Sequence, residues 1–521
     1  MTTLATLPAT VSRAVGAKVA LITHGGSVTY PELDLRSTRV ARALCRDGVA
    51  RGDRVVMLGK ESLDAMTLLF GVAKAQAVYT AINWRLSVDE IAYAVNDSGA
   101  RWLFVDVEHA PIAARVTAQS ERPPRVIVIG GAHEAWSTFE EFCADADAAA
   151  ALPVLSYDAD DPVVQMYTSG TTGYPKGVVL AHRSFFAIAR ALEEASDPWI
   201  GWTSGSVSLL FVPTFHIGGM WWLIRGLALG STNVVLRAFD PAAILDAIGR
   251  YRVTKTCMVP AMMQVLLGEP AIDEADLSSL ETIVYGGSPI SATLLEGARA
   301  KFGCDFCQIY GMTETGNMAV SLRPGDHADA RDERLRAAGR ALPGVALRIL
   351  DKDGRELGVR EMGEIFLRSP ARMVEYWRRP EETALALADG WVRTGDAGYR
   401  DEEGFVYICD RVKDMIISAG ENIYPAEIEN VLREHRDVAD VAVIGVPDDL
   451  WGESVKAFVV PQRGATLAAR DVVRHARARL AEFKVPKSVE LVDALPRNAS
   501  GKLLKKDLRE PYWKDRERRV N

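Results

Sequence analysis

An alternation of helix-like and strand-like segments constrains the fold of this chain more than any other feature. Apolar residues recur with a helical period over 37–45 and 63–75, and short apolar runs typical of strands stand at 54–58, 78–82, 102–105 and 126–129. This alternation predicts an α/β fold with largely parallel sheets covered by helices. Open sheets of this kind bind ligands at the carboxyl ends of their strands, so we expect the functional residues there.

A loop rich in glycine and hydroxyl groups follows the predicted strand at 163–167. Its sequence is Thr168-Ser169-Gly170-Thr171-Thr172-Gly173-Tyr174-Pro175-Lys176-Gly177. The glycines let backbone N–H groups approach an anion, the hydroxyls add donors and Lys176 adds a positive charge, so the loop is suited to phosphate. It differs from a Walker loop, because Lys176 precedes a glycine instead of Ser or Thr. A cluster of this composition can also form a solvated turn.

Composition narrows the classes of partner. A net charge of −8 over 521 residues argues against nucleic acid, which rewards a basic face. Six scattered cysteines favour a reducing compartment, and no run reaches the ~20 apolar residues of a membrane span. We therefore expect a soluble, cytoplasmic protein. The basic stretch 502–519 is interpreted as a solvated tail, with a phosphate contact or a peripheral membrane patch as alternatives.

Cys304 and Cys307 have the Cys-x-x-Cys spacing of some metal and redox sites. No second Cys or His pair at ligand spacing accompanies them, and they lie in an apolar run, 304–310, that is typical of a strand. We interpret both cysteines as strand residues.

A length of 521 residues predicts more than one domain. A turn-rich segment at 401–404 precedes a change of pattern near 410–413. Beyond it, helices are predicted at 425–434 and 469–482, and strands at 438–446 and 454–460. The sequence therefore predicts two parts, 1–410 and a compact α+β part, 411–521.

Several other small-residue turns interrupt apolar runs. They are Tyr285-Gly286-Gly287-Ser288-Pro289, Tyr310-Gly311-Met312-Thr313-Glu314-Thr315, Gly395-Asp396, Arg411-Val412-Lys413-Asp414, the segment 420–425, and the segment 496–502. Each has an ordinary structural explanation: Glu314 as a helix N-terminal acid, Asp396 as a turn residue, Lys502 as a tail lysine. Together they supply what a nucleotide-dependent transfer needs, namely phosphate nests, an acid for a metal, an acid for a ribose diol and isolated cations.

With these motifs in order from Tyr30 to Lys502, the chain resembles the adenylate-forming (ANL) superfamily and, within it, the acyl-CoA synthetases. The resemblance implies a large N-terminal adenylation domain of α/β subdomains, 1–410, and a small mobile α+β lid domain, 411–521. It also implies that ATP, Mg²⁺ and coenzyme A (CoA) are used, and that the reaction has two halves. A carboxylic acid and ATP give acyl-AMP and pyrophosphate, and acyl-AMP and CoA then give acyl-CoA and AMP.

The resemblance assigns roles to individual positions. Thr168, Ser169, Gly170, Thr171, Thr172, Gly173 and Lys176 would hold the pyrophosphate end of ATP, with Thr168 and Glu314 near Mg²⁺. Gly287, Ser288, Pro289 and Tyr310 would frame the adenine, with Gly311 and Met312 in the same site, and Thr313 would contact the α-phosphate. Asp396 and Arg411 would bind the ribose. Lys502 would bridge the acyl carboxylate and the α-phosphate.

The same resemblance implies how the second half reaction proceeds. The C-terminal domain would rotate about Lys413, withdraw Lys502 and present Gly420, which lines a thiol channel, while Trp451 and Phe483 would contact the CoA nucleotide. His216 would stand between the acyl pocket and the thiol tunnel. The acyl pocket itself would be lined by His216, Gly218, Gly219 and Trp222.

Three other functions compete with an acid–CoA ligase. A stand-alone adenylating enzyme would load a carrier-protein thiol, and a luciferase-like enzyme would oxidise the adenylate. A catalytically dead nucleotide-binding homologue would have lost Glu314, Asp396 or Lys502, and all three are present. The sequence leaves the acid and the oligomeric state open.

Overall fold

The computed structural model describes residues 2–120, 122–144, 156–168, 175–288, 290–327, 333–411, 414–418, 421–448, 452–497 and 503–514. Two compact units are present. The larger comprises Met1–Pro289, Leu294–Leu347 and Leu367–Arg393, and the smaller comprises Ile290–Thr293, Arg348–Phe366 and Thr394–Asn521. The boundary at 410/411 stays a prediction.

The α-helices are given first. In chain order they are α1 Leu7–Val15, α2 Tyr30–Arg46, α3 Leu63–Lys74, α4 Val88–Ser98, α5 Ala110–Ala118, α6 Phe139–Cys143, α7 Arg183–Glu194, α8 Ile217–Ala228, α9 Pro241–Tyr251, α10 Pro260–Leu267, α11 Ala292–Phe302, α12 Pro380–Ala386, α13 Pro425–Arg433, α14 Ala469–Arg477 and α15 Lys505–Trp513.

The strands follow in the same way. They are β1 Val19–Thr23, β2 Gly26–Thr29, β3 Arg54–Leu58, β4 Val78–Ile82, β5 Trp102–Asp106, β6 Arg125–Ile129, β7 Ser137–Thr138, β8 Pro162–Thr168, β9 Lys176–Ala181, β10 Val207–Leu210, β11 Thr232–Val235, β12 Lys255–Met258, β13 Thr282–Gly286, β14 Asp305–Tyr310, β15 Val320–Leu322, β16 Arg340–Ala341, β17 Ala346–Leu350, β18 Gly363–Arg368, β19 Glu375–Tyr376, β20 Leu387–Ala388, β21 Trp391–Arg400, β22 Val406–Arg411, β23 Ile416–Ser418, β24 Glu421–Ile423, β25 Val438–Asp448, β26 Gly452–Pro461 and β27 Ser488–Leu491.

Local chemistry explains where these elements begin and end. Helix α2 starts seven residues before the predicted segment, because Thr29 and Glu32 form a capping box and Pro31 lies in the first turn. Helix α14 ends at Arg477, short of the predicted 482. The chain there forms a separate 3₁₀ turn, Glu482–Lys484, ahead of Pro486, and a proline disfavours helical geometry in the residue before it.

Two large sheets form the larger unit. One has the order β19-β9-β8-β4-β3-β5-β6-β7 and the other β16-β15-β14-β13-β12-β10-β11-β1-β2. In the first sheet, β3 to β8 run parallel to one another, with β9 and β19 antiparallel at one edge. In the second sheet, β1 and β10 to β14 run parallel. The predicted α/β class is therefore confirmed.

A buried apolar cluster shows how a sheet and its helices share a core. Val56 and Leu103 of the first sheet contact Ile91 and Val95 of α4 and Val116 of α5. A further five-stranded sheet has the order β17-β18-β21-β20, with β22 paired to β21.

The smaller unit contains a sheet of order β24-β23-β26-β25, with β27 beside β26. Ile428 of α13 and Val472 of α14 pack against Val443 and Ala457 of this sheet, and Leu508 of α15 packs against Phe458. The predicted small α+β part is confirmed in its class. None of the helices in the described residues combines the length and apolarity that crossing a bilayer requires.

Candidate active site

The predicted phosphate loop connects two antiparallel strands. Strand β8 ends at Thr168 and β9 begins at Lys176, and these two residues pair across the ladder. Because β8 is parallel to β4, the loop leaves the sheet at the carboxyl end of its parallel strands, as expected. Ser169, Gly170, Thr171, Thr172 and Gly173 lie outside the described residues.

Lys176 and Glu314 both contact one tyrosine side chain, that of Tyr376. Lys176 Nζ lies 5.1 Å from the centroid of the Tyr376 ring, and the Tyr376 hydroxyl donates to Glu314 Oε1 at 2.8 Å. Tyr376 is held there because β19 pairs with β9, opposite Val178. Burial, reinforced by the adjacent Glu314 carboxylate, raises the pKa of Tyr376, so the tyrosine stays a donor. A cation suited to phosphate and a buried carboxylate thus meet at one residue.

Lys176 also forms an ion pair with Glu382 of α12. The Lys176 side chain is largely buried, so this contact is only weakly screened by solvent. An incoming polyphosphate would therefore compete with Glu382 for Lys176.

Glu314 fits a divalent cation bound largely by substrate phosphates. It is only 5% exposed, and among the described residues it forms no ion pair with Lys or Arg, so its charge is available to a cation. The described residues contain no cluster of three or more His, Cys, Asp or Glu side chains able to hold a metal. One carboxylate with substrate oxygens is the usual arrangement for Mg²⁺.

The residues assigned to adenine lie at the ends of adjacent parallel strands. Gly286 of β13 pairs with Ile309 of β14, so Gly287 and Ser288 emerge beside Tyr310. Gly287 has φ +81°, a left-handed conformation that favours glycine, and Ser288 is exposed. Pro289 lies outside the described residues.

The turn after Tyr310 is tightly constrained. A Cβ at Gly311 would lie 1.8 Å from the carbonyl oxygen of Asn317, so only glycine fits. The Met312 N–H donates to Thr315 Oγ1 at 2.9 Å and closes the turn. Within it Thr313 is partly exposed while Glu314 points inward.

His216 caps the start of α8. Its Nε2 is buried and has no hydrogen-bond partner among the described residues. Burial, together with the nearby Arg85 charge, lowers the pKa of His216 to about 4, so the ring is neutral at pH 7. A neutral ring suits the gating role that the resemblance implies.

The two glycines after His216 face different surroundings. A Cβ at Gly219 would lie 2.4 Å from the carbonyl oxygens of Val212 and Pro213, so packing against backbone already requires glycine there. A Cβ at Gly218 would meet only Asn317 Oδ1, at 3.9 Å. Gly218 is thus the glycine beside open space, and a substrate contact for Gly219 stays a prediction.

Trp222 lies four residues after Gly218 and therefore on the same face of α8. It is 1% exposed, and its ring centroid is 4.2 Å from that of Trp202. Its Nε1 has no hydrogen-bond partner among the described residues. The space beside Gly218 thus meets a large buried ring one helical turn further on.

In the smaller unit, Asp396 and Arg411 occupy paired positions of β21 and β22. Asp396 is buried, and its N–H donates to Thr394 Oγ1 at 3.1 Å. Phe483 lies on the 3₁₀ turn and is 48% exposed, next to Lys484, whose Nζ contacts both carboxylate oxygens of Glu427. The ribose and CoA roles of these residues stay predictions.

Further predicted residues fall in other undescribed stretches of the chain. Lys413, Gly420, Trp451 and Lys502 lie outside the described residues, as does the side chain of Arg411. Part of the basic tail is described, and there Lys505 and Arg509 form ion pairs with Glu429 and Asp414.

The two cysteines at Cys-x-x-Cys spacing have free thiols. Cys307 lies within β14, as predicted, but Cys304 precedes the strand, which starts at Asp305. Burial raises the pKa of both thiols to about 12, so neither is a thiolate at neutral pH.

Three residues with direct contacts at this site were not found from the sequence: Tyr376, Glu382 and Glu61. Glu61 is buried in the segment that follows β3 and accepts hydrogen bonds from the Thr214 N–H and hydroxyl, at 2.8 and 2.9 Å. Each lies far along the chain from the motif it contacts. No local pattern signals them, because the contacts depend on how the strands are ordered in the sheets.

Comparison with known proteins gives a consistent result. Residues 9–377 match the family model described as AMP-binding enzyme, and residues 427–502 match that of the AMP-binding enzyme C-terminal domain. The chain is 46% identical to the fatty acid–acyl-carrier-protein ligase ScoC of Streptomyces coeruleorubidus, over 96% of this chain and 95% of that protein. It is 39% identical to a feruloyl-CoA synthase of an Amycolatopsis species, over 94% and 95%.

A solved structure is also similar. ATP-bound MatB from Rhodopseudomonas palustris matches with a TM-score of 0.85 and 32% identity, over 98% of this chain and 99% of that one.

The Lys176–Glu382 ion pair predicts an effect on anion binding. Glu382→Gln should tighten binding of inorganic pyrophosphate, measured by calorimetry. In this variant Lys176 has no ion pair with residue 382 that must break before it can bind the anion. The expected gain is about 3- to 10-fold, as for a partly buried ion pair. The exposed neighbour Glu381→Gln is the matched control and should change nothing. Unchanged or weaker affinity in Glu382→Gln would contradict the competition.

Glu61 predicts a pH dependence of stability. Burial outweighs the two Thr214 hydrogen bonds and raises the pKa of Glu61 to about 7. At a pH between the ordinary pKa of a glutamate and about 7, Glu61 is ionised in the unfolded chain but still protonated in the folded chain. The folded protein therefore loses stability relative to the unfolded chain as the pH rises through this range. The full effect is about 3 kcal/mol. Glu61→Gln should therefore gain stability relative to wild type between pH 5 and 8 in urea unfolding, and a difference independent of pH would refute this.

Proposed function

Because this chain belongs to the AMP-binding enzyme family, we propose that it activates a carboxylic acid with ATP and passes the acyl group to the thiol of CoA. The observation that supports the adenylation half reaction is that Lys176 and Glu314 both contact Tyr376. It combines a cation for the leaving pyrophosphate with a carboxylate for a metal, at the end of strand β8.

Adenylation needs charge neutralisation more than a protein nucleophile. The substrate carboxylate forms a bond to the α-phosphorus and the bond to the β-phosphate oxygen breaks, so pyrophosphate leaves. Lys176 binds the leaving group and Thr313 orients the α-phosphate. Glu314 and Thr168 would hold Mg²⁺, which supplies further charge stabilisation when bound. Lys502 is proposed to bridge carboxylate and phosphate.

Thioester formation then needs access for a thiol. The sulfur attacks the acyl carbon, AMP leaves and the thiol proton is released. His216 is neutral and its buried Nε2 has no hydrogen-bond partner in the part of the chain that the structure describes, which supports a gating position at the acyl carbon. Lid rotation about Lys413, with Gly420 lining the channel, remains part of this proposal.

The position of Phe483 supports CoA as the molecule whose thiol accepts the acyl group. It is a large aromatic side chain left half-exposed on a tight turn, beside Lys484. A ring in this position can stack on the adenine of CoA, with a cation nearby for phosphate. Trp451 would contribute to the same contact.

A carrier-protein thiol is the second candidate, favoured by the 46% identity to ScoC. Both acceptors would receive the same adenylate. The choice between them depends on what surrounds the thiol.

Direct competition distinguishes the acceptors. With ATP and a panel of acids, thioester formation should be at least ~10-fold more efficient in kcat/KM with CoA than with a phosphopantetheine-loaded acyl carrier protein. Phe483→Ala should raise KM for CoA and leave pyrophosphate release unchanged, whereas Leu491→Ala, also an exposed apolar residue of the smaller unit, should change neither. A preference for the carrier protein would establish the second candidate instead.

Trp222 predicts a short acyl site. If Gly218 opens the pocket, the buried Trp222 ring closes it one turn, about 6 Å, further along α8. Wild type should therefore prefer butanoate and hexanoate to decanoate and hexadecanoate in pyrophosphate release. Trp222→Ala should shift the preference toward the longer acids, while Trp221→Ala, which loses a similar volume against Trp199, should not. A wild type that prefers hexadecanoate would show that Trp222 does not close the acyl pocket.

A further inference from the structure

A buried carboxylate of the larger unit has no part in the chemistry above. Glu61 is 6% exposed, and both of its oxygens accept from a single residue. The Thr214 N–H donates to Oε1 at 2.8 Å and the Thr214 hydroxyl donates to Oε2 at 2.9 Å. Within the described residues, its hydrogen bonds therefore lead to the segment between β10 and α8.

Keeping an ionisable group in this place is costly. Desolvation by burial raises the pKa of Glu61, and among the described residues the hydrogen bonds from Thr214 oppose this by favouring the charged form. Burying a carboxylate without a cation costs more than burying an apolar side chain of similar volume. The position of the bonded segment is the benefit that can offset this cost.

The bonded segment carries His216. Thr214 is two residues before it, the His216 N–H donates to Pro213 O at 3.1 Å, and the Met220 N–H donates to His216 O at 3.1 Å. A shift of Thr214 would therefore move His216 and the first turn of α8 together.

The Glu61 side of the contact is fixed independently. The Lys60 N–H donates to Asp106 Oδ2 at 2.8 Å, and a Cβ at Gly59 would lie 2.7 Å from Asp106 Cγ. Glu61 thus links the end of β3 in one large sheet to the segment after β10 in the other. Its backbone has little freedom to follow a displaced Thr214.

Glu61 itself has no room for a substrate. The cavity beside it is about 10 Å³ and is lined by Tyr79, Thr214 and Phe215. That is the volume of one water molecule at most. A role for Glu61 must therefore act through the residues it holds.

We propose that Glu61 is a positioning residue that fixes His216 at the acyl site through its two hydrogen bonds to Thr214. The inference rests on the proposed position of His216 between acyl group and thiol. It deepens that proposal, because it names what holds the gate in place.

The test compares the rate of thioester formation with the apparent affinity for ATP. Glu61→Ala and Thr214→Val should lower kcat for thioester formation by roughly 10-fold or more, since small misplacements near the reacting atoms have effects of this size. KM for ATP should not change, because the nucleotide contacts lie elsewhere. Glu61→Gln should stay within about 3-fold of wild type, since an amide can accept the Thr214 N–H and donate to its hydroxyl.

Thr256→Val is the matched control. Thr256 is a buried threonine of β12, the strand next to β10, and its hydroxyl donates to Leu209 O, so loss of this hydrogen bond reports general destabilisation. The inference fails if Glu61→Ala keeps wild-type kcat, if Glu61→Gln is as impaired as Glu61→Ala, or if Thr256→Val reproduces the Thr214→Val defect. Should Glu61→Ala not fold, Thr214→Val decides alone. Absence of pyrophosphate release by wild type with every acid would overturn the proposed function instead.

Discussion

The hydrogen bond from Tyr376 to Glu314 is the contact on which the candidate site depends. It forms inside the larger unit between a residue after β14 and a strand added to the edge beside β9. Since β9 begins at Lys176, the same strand pairing brings the lysine of the phosphate loop close to the ring of the same tyrosine. Two motifs about 140 residues apart in the sequence thereby become parts of one site.

The remaining site residues follow from strand order. Thr168, Gly287 and Tyr310 stand at or just after the carboxyl ends of parallel strands, where backbone N–H groups and loop side chains are free to bind ligands. Glycine is required at two positions of this edge for different reasons. Gly287 needs a left-handed conformation, whereas Gly311 needs room for a neighbouring carbonyl oxygen.

Local pattern was sufficient for much of the fold. The predicted strands at 54–58 and 78–82 match β3 and β4 at both ends, because each is a short apolar run between polar turns. The helix at 469–482 was predicted too long, since helical period continues past Arg477 while Pro486 constrains the chain beyond it. Glu61, Tyr376 and Glu382 could not be predicted, because their partners are set by which strands become neighbours. The sequence motifs indicated the type of reaction, and the order of the strands determines which further residues position the motif side chains.

Acid-dependent exchange of labelled pyrophosphate into ATP tests the central claim most directly, because it isolates adenylation from the choice of thiol. Wild type should exchange label only when a suitable acid is present. Glu314→Gln should reduce the exchange by roughly 100-fold or more, as expected when a group that stabilises developing charge is removed. Glu296→Gln, an exposed glutamate on α11, should not. Exchange without acid, or full exchange in Glu314→Gln, would contradict the account.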